Sequence, residues 1–166
     1  MTSKAAFSAE EWSLLRSLPP LVSAGVAAAD PSGLIGSFQE AAGGMKGMVE
    51  SLQQAGELEL AKELLADKSV PAMPDARAMM GEGPREQQLD QFRTAVLGKV
   101  RDGLDLLARK GTPDEVAAFK DMLLKAADKA ANAAKEGGFL GFGGERVSAS
   151  EKGFLEELKG AVAAAA

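Results

Sequence analysis

The feature that most constrains this chain is its supply of small residues, 31 alanines and 19 glycines among 166 residues. Alanine is the best helix former, and small side chains let helices approach one another closely. β-branched residues never form the consecutive run that a strand needs. The sequence therefore predicts an all-α fold, a compact bundle of six or seven helices in a single domain over residues 1–166.

Three segments carry the Ser/Thr-x-x-Glu pattern of a capping box. In such a box the hydroxyl accepts from the third helical N–H while the Glu reaches back to the cap's own N–H. The segments are Ser8-Ala9-Glu10-Glu11, Thr112-Pro113-Asp114-Glu115 and Ser148-Ala149-Ser150-Glu151. Each predicts the start of a helix.

Helical spacing of apolar residues and the positions of Pro and Gly divide the chain further. Pro19-Pro20 is expected to end or sharply kink the first helix, because proline lacks an N–H and clashes with the preceding turn. Glycines in the third helix, among them Gly43, Gly44 and Gly47, indicate either close helix contact or a weak, kinked helix. The predicted helices cover about 9–18, 21–29, 32–54, 57–65, 85–109, 113–135 and 148 onward, with a linker over about 67–84 that holds one short turn near 76–80.

Two segments share a frame of Ala-Ala, three residues, and then Gly-apolar-apolar-Gly. One runs from Ala28 to Gly36 and the other from Ala133 to Gly141. One interpretation is an internal duplication, with halves 1–66 and 85–166 related by a pseudo-twofold and both glycine corners on one side of the bundle. The alternative is chance, since matches arise easily in a chain so rich in Ala and Gly.

The sequence has no His, Cys or Tyr. This excludes Ser–His–Asp and Cys–His nucleophiles, zinc sites of the usual type, haem and iron–sulfur ligation through His or Cys, and disulfides. A net charge of −5 argues against a groove that tracks nucleic-acid phosphates. Carboxylates could still bind Ca²⁺ or Mg²⁺ or act as acid and base, but the obvious acids lie at helix starts or on polar faces. We therefore predict no catalytic, metal or cofactor-binding residues.

The candidate partner contacts are apolar residues in unusual places. Residues 137–144 place Phe139, Leu140 and Phe142 among glycines, where they either plug the end of the core or form an exposed contact for a protein or a membrane surface. Leu34 and Ile35 occupy the corresponding place in the first glycine corner. Met79 and Met80, like Met73 before them, lie in or near the linker, where adaptable methionines either contact partners or cover the bundle.

Two stretches resemble a signature of small, uncharacterised, all-helical bacterial proteins. They are the segment from Ala134 through Gly-Gly-Phe-Leu-Gly-Phe-Gly-Gly to Lys152, and Glu11-Trp12 followed by Ala28-Ala-Asp-Pro-Ser-Gly33. The resemblance implies a bacterial source and no particular activity.

A more distant likeness is to tellurite-resistance B-type helical domains, which carry Ala-Ala-Asp-Gly before a Ser-x-x-Glu helix start. Asp30 and Val147-Ser148-Ala149-Ser150-Glu151 are similar to parts of that pattern. Asp30 is followed by Pro31, and Glu145 stands where Asp-Gly is expected. The acidic metal site of that family is therefore not carried over to this sequence.

These observations favour a non-enzymatic cytoplasmic adaptor, or a stress-associated accessory protein, that acts through protein partners or self-association. There is no basic-then-apolar secretory signal and no apolar stretch long enough to span a bilayer. The alternatives are a binder of a small apolar ligand or a hard metal ion between the two glycine corners and, less favoured, a carboxylate-based enzyme.

Overall fold

The computed structural model describes residues 2–29, 37–136, 147 and 149–165. Over these residues the chain is helical, without a strand, which confirms the all-α prediction. A 3₁₀ turn at Lys4–Ala6 precedes the first helix. The α-helices are α1 Ala9–Ala29, α2 Ser37–Gln54, α3 Glu59–Ala66, α4 Ala76–Met80, α5 Arg85–Lys110, α6 Pro113–Glu136 and α7 Ala149–Ala164.

Two of the three predicted capping boxes are described, and both form. The Glu11 N–H donates to Ser8 Oγ at 3.2 Å, and the Ser8 N–H donates to Glu11 Oε2 at 2.7 Å. Thr112 and Glu115 make the same reciprocal pair, at 3.3 and 2.9 Å. The third box depends on Ser148, which lies outside the described residues. Local hydrogen bonding thus sets the starts of α1 and α6, as the sequence predicts.

The prediction that Pro19-Pro20 ends the first helix is wrong. α1 continues through both prolines, so the two helices expected at 9–18 and 21–29 are one. The prolines cannot donate to the carbonyls of Leu15 and Arg16, and a proline inside a helix costs about 3 kcal/mol. The continuous helix offsets this cost by burial, because its apolar residues before and after the prolines are almost fully buried. These are Trp12, Leu15, Leu18, Leu21, Val22 and Val26.

A single hydrophobic core joins residues from both sides of the 67–84 linker. α1 lies at its centre and contacts α2, α5, α6 and α7. The predicted short turn in the linker is present as α4, which packs on α5.

The most extensive helix–helix contact among the described residues is that of α2 with α6, and glycines allow their approach. A Cβ atom built on Gly43 lies 2.6 Å from the carbonyl oxygen of Lys129, and one built on Gly47 lies 2.6 Å from that of Lys125. Real Cβ atoms do not come so close, so any side chain here pushes the two backbones apart. Of the two interpretations of these glycines, close helix contact is therefore the correct one.

Glycines also allow close helix contact elsewhere in the core. Gly25 of α1 faces the ring of Phe154 from α7, and Gly103 of α5 faces Leu18, whose side chain would lie 2.5 Å from a Cβ atom placed on that glycine. Each glycine leaves space that a large side chain of a neighbouring helix fills. The core is thus packed by pairing the smallest residue with large ones.

A buried carboxylate connects three parts of the chain. Glu115 is 1% exposed. It accepts hydrogen bonds from the backbone N–H and hydroxyl of Thr2, from the Thr112 N–H, and from the Leu60 N–H at 3.4 Å. Burial on its own raises the pKa of Glu115, but these donors together lower it to about 2 from an ordinary value of 4.5.

Substitution of glycine by alanine is expected to have opposite effects at two helical sites. Gly47→Ala should lower the free energy of unfolding by about 1–3 kcal/mol, because the new methyl group strikes the Lys125 backbone. Gly98→Ala should raise it by about 0.5–1 kcal/mol through helix propensity, because a Cβ atom added at this position of α5 meets nothing within 4 Å. Urea denaturation measures both changes. Equal effects of the two substitutions contradict the close contact.

Glu115 should make stability depend on pH in acid. Because its folded pKa is lowered, its stabilisation is complete above about pH 4.5 and is lost as the pH falls toward about 2. Glu115→Gln should lower the free energy of unfolding at pH 7 by about 2 kcal/mol, since charge-assisted hydrogen bonds are lost. It should also flatten the decline between pH 5 and 2, relative to the exposed control Glu57→Gln, when urea midpoints are measured across this range.

Candidate binding groove

A groove with an apolar lining lies under the linker. Its volume is about 490 Å³, and its lining is predominantly apolar. α1, α2, α3 and α6 form its walls and floor, and the start of the linker forms its edge. The apolar lining residues are Leu15, Pro19, Pro20, Met45, Met48, Val49, Leu52, Leu64, Leu65, Val70, Pro71, Met73 and Met122.

One wall of the groove is a helical stripe on α2. Met45, Met48, Val49 and Leu52 follow the i, i+3, i+4, i+7 spacing of one helix face. Burial decreases along this stripe, from Leu52 at 3% exposed to Met45 at 48%. The groove is therefore closed near Leu52 and opens to solvent at Met45.

Four of the lining residues are methionines, Met45, Met48, Met73 and Met122. Methionine side chains are unbranched, flexible and polarizable, so they adapt to apolar partners of different shape. The opposite wall is rigid, since Pro19 and Pro20 present pyrrolidine rings. A lining that joins rigid prolines and flexible methionines is suited to binding apolar groups.

Residues 67–74, named the strap here, cross α1 beside the groove, and Asp67 and Arg16 hold its first part. Asp67 accepts from Lys4 Nζ at 2.8 Å, from Trp12 Nε1 at 2.9 Å and from the Ser69 hydroxyl at 2.6 Å. Arg16 pairs with the Asp67 carboxylate at 3.2 Å and donates to the carbonyls of Asp67 and Ser69. These contacts fix where the edge of the groove lies.

The Asp67 carboxylate remains ionised to low pH. The hydrogen bond from Lys4 contributes most to a pKa far below the usual range, followed by those from Ser69 and Trp12. Asp67 therefore acts as a fixed anion that organises the strap, and its protonation is not available for acid–base chemistry near neutral pH.

Most of the predicted contact residues lie outside the described part of the chain. These are Leu34, Ile35, Phe139, Leu140 and Phe142, together with both glycine corners and residues 137–144. Met79 and Met80 are described, and both are half-buried against the core on α4, away from the groove lining. The internal duplication stays a prediction.

Two carboxylates of the described residues, those of Glu115 and Asp67, are each held by several partners. Glu115 is surrounded by hydrogen-bond donors and Asp67 by cations and donors. Within residues 2–29, 37–136, 147 and 149–165, no three metal-ligating side chains are grouped to hold an ion. Among the helices of this part of the chain, none has the length and apolar character to span a bilayer.

Sequence reasoning missed the groove, although the apolar pattern of its parts is visible in the sequence. Met45, Met48, Val49 and Leu52 are visible as an apolar stripe on a predicted helix, and Met73 as an adaptable residue in the linker. Their meeting depends on α1 passing unbroken through Pro19-Pro20, which places the prolines opposite α2. No local pattern in the sequence signals that continuity.

Comparison with known proteins gave no match to a family model, to a curated protein or to a solved structure.

Removal of the Asp67 charge should loosen the strap. Asp67→Asn keeps the size of the side chain but loses the ionic contacts to Lys4 and Arg16, so the bond after Lys68 should become several-fold more sensitive to trypsin. Asp105→Asn, an exposed acid on α5, is the matched control. The measurement is the rate of cleavage at Lys68 followed by mass spectrometry. An unchanged rate means that Asp67 does not hold the strap.

Proposed function

We propose that this protein is a non-enzymatic cytoplasmic adaptor, of the kind that can serve as a stress-associated accessory protein, and that it binds the apolar face of a partner's amphipathic helix in the groove. The observation that supports this most is the half-open α2 stripe of Met45, Met48, Val49 and Leu52. Helix-in-groove recognition uses apolar residues at this same spacing.

The geometry of the stripe favours a helix as the occupant. Met45 is 48% exposed while Leu52 is buried, so an incoming helix can extend the packing that α2 already begins. Methionines on the α2 side and at Met122 can adjust to anchor residues of different size. The energy of such a contact comes mainly from apolar surface removed from water.

A second candidate function is the binding of a single small apolar ligand. The volume of about 490 Å³ supports it, because ligand pockets in proteins commonly measure about 300–1,000 Å³. This differs from the expected ligand site between the glycine corners, since the groove lies under the linker. A helix and a small ligand compete for the same methionines and can be separated by experiment.

The test titrates the protein with two probes, a short amphipathic helical peptide with leucines at i, i+3, i+4 and i+7, and the dye 1-anilinonaphthalene-8-sulfonate. Met45→Glu should weaken peptide binding about tenfold or more, because a charge enters the apolar contact. Calorimetry measures the peptide affinity, and fluorescence measures the dye.

Met80→Glu is the matched control, since Met80 is half-buried on α4 and outside the groove. It should leave both affinities unchanged, and thermal melting checks that both variants fold. Binding of the dye alone, sensitive to Met45→Glu, supports the small-ligand function and overturns the helix. Equal effects of the two variants overturn the groove as the binding site.

A further inference from the structure

The outer part of the strap is an exposed apolar segment with the sequence Val70-Pro71-Ala72-Met73-Pro74. Val70 is 91% exposed and Met73 is 47% exposed, which makes them two of the three exposed large hydrophobic residues in the described part of the chain. Five consecutive apolar residues on a surface, without a polar one among them, need a reason beyond connecting α3 to α4.

The backbone of this segment is free to be recognised. Residues 70–74 belong to no helix or strand, and within the described structure their N–H and C=O groups make no hydrogen bond. Asp67, three positions before the segment, and Asp75, directly after it, have extended backbones, with φ/ψ of −76°/99° and −65°/107°. Proline fixes φ near −65° at Pro71 and Pro74 and disfavours the helical region for Val70 and Met73 before them, which favours an extended segment of the polyproline II type.

Polyproline II has three residues per turn, so every third residue shares a face. This places Val70 with Met73, and Pro71 with Pro74. The exposure follows that period, because Val70 and Met73 are exposed while both prolines are half-buried. The segment therefore presents two consecutive apolar-Pro pairs with the same orientation.

A cation precedes these pairs. Lys68 is exposed, forms no ion pair with any described residue, and lies three positions before Pro71. From Lys68 to Pro74 the sequence therefore reads basic, any residue, apolar, Pro, any residue, apolar, Pro. Arg16 cannot take this role, because its guanidinium is already bound to Asp67 and Ser69.

From this arrangement we infer that residues 68–74 are a docking site for a partner domain that recognises polyproline II helices, with aromatic-lined slots for the two apolar-Pro pairs and an acidic pocket for Lys68. Domains of the SH3 type have this chemistry. A segment that is already extended loses little conformational entropy on binding. The complementary charges of Lys68 and an acidic pocket give the partner a direction along the segment.

The anchoring of the strap is compatible with such a partner. Asp67 and Arg16 hold residues 67–69, whereas residues 70–74 make no hydrogen bond to the bundle within the described structure. A partner that takes both prolines therefore breaks no hydrogen bond of residues 70–74. This interaction goes beyond the proposed groove function, since it uses an extended rather than a helical recognition mode. Val70, Pro71 and Met73 of the segment also line the edge of the groove.

The experiment titrates the full chain into a panel of isotopically labelled SH3 domains that have an acidic specificity pocket, and follows chemical shifts of the domains. We expect at least one domain to bind with micromolar affinity through its aromatic groove. The double variant Pro71→Ala/Pro74→Ala and the single variant Lys68→Glu should each weaken that binding about tenfold or more. Folding should be retained in both, as thermal melting can verify, because residues 70–74 make no hydrogen bonds.

Two matched controls keep this test separate from the groove. Lys62→Glu changes an exposed lysine on α3 outside the motif, and Met45→Glu disables the groove, so neither should alter the affinity of the domain. The inference is overturned if no domain of the panel binds the wild-type chain, if the proline variant binds as well as the wild type, or if Lys62→Glu weakens binding as much as Lys68→Glu. The affinity of the domain for the Met45→Glu variant is expected to be unchanged whether or not the groove binds a helix.

Discussion

The close approach of α2 to α6 is the constraint on which the rest of this structure depends. Gly43 and Gly47 bring the α2 backbone against the carbonyls of Lys129 and Lys125, where no side chain fits. That contact fixes the rotation of α2 about its own axis. Its glycine face is turned to α6, so the stripe that begins at Met45 is left at the groove. The position of the candidate binding surface thus follows from the positions of the glycines in α2.

Local signals in the sequence were sufficient for most of the secondary structure. Capping boxes at Ser8 and Thr112, and the regular apolar spacing of α5, act within one or two turns and can be recognised without knowledge of the fold. Pro19-Pro20 is the exception, because burial on both sides of the prolines outweighs the local preference. That burial depends on four other helices, which a local pattern does not contain.

The candidate site was less predictable for the same reason. The groove joins residues of α1, α2, α3, α6 and the strap, and its edge depends on a carboxylate, Asp67, whose partners Lys4, Trp12 and Arg16 are more than fifty positions away. Likewise, Glu115 is recognisable as a capping residue, but its bonds to Thr2 and Leu60 are not. The sequence indicates which of these residues are charged, apolar or capping. Which residues lie beside them depends on the fold.

The contact between α2 and α6 also limits how this protein can change by mutation. Glycine has no smaller replacement, so every substitution at Gly43 or Gly47 adds atoms to a space that is already full. The only smaller replacement for an alanine of α6 is glycine, and this substitution lowers helix propensity. Variation in this protein is therefore expected to concentrate in the open helix surfaces around Gly98, Gly153 and Gly160, while the groove keeps its shape because the α2–α6 interface behind it tolerates few substitutions.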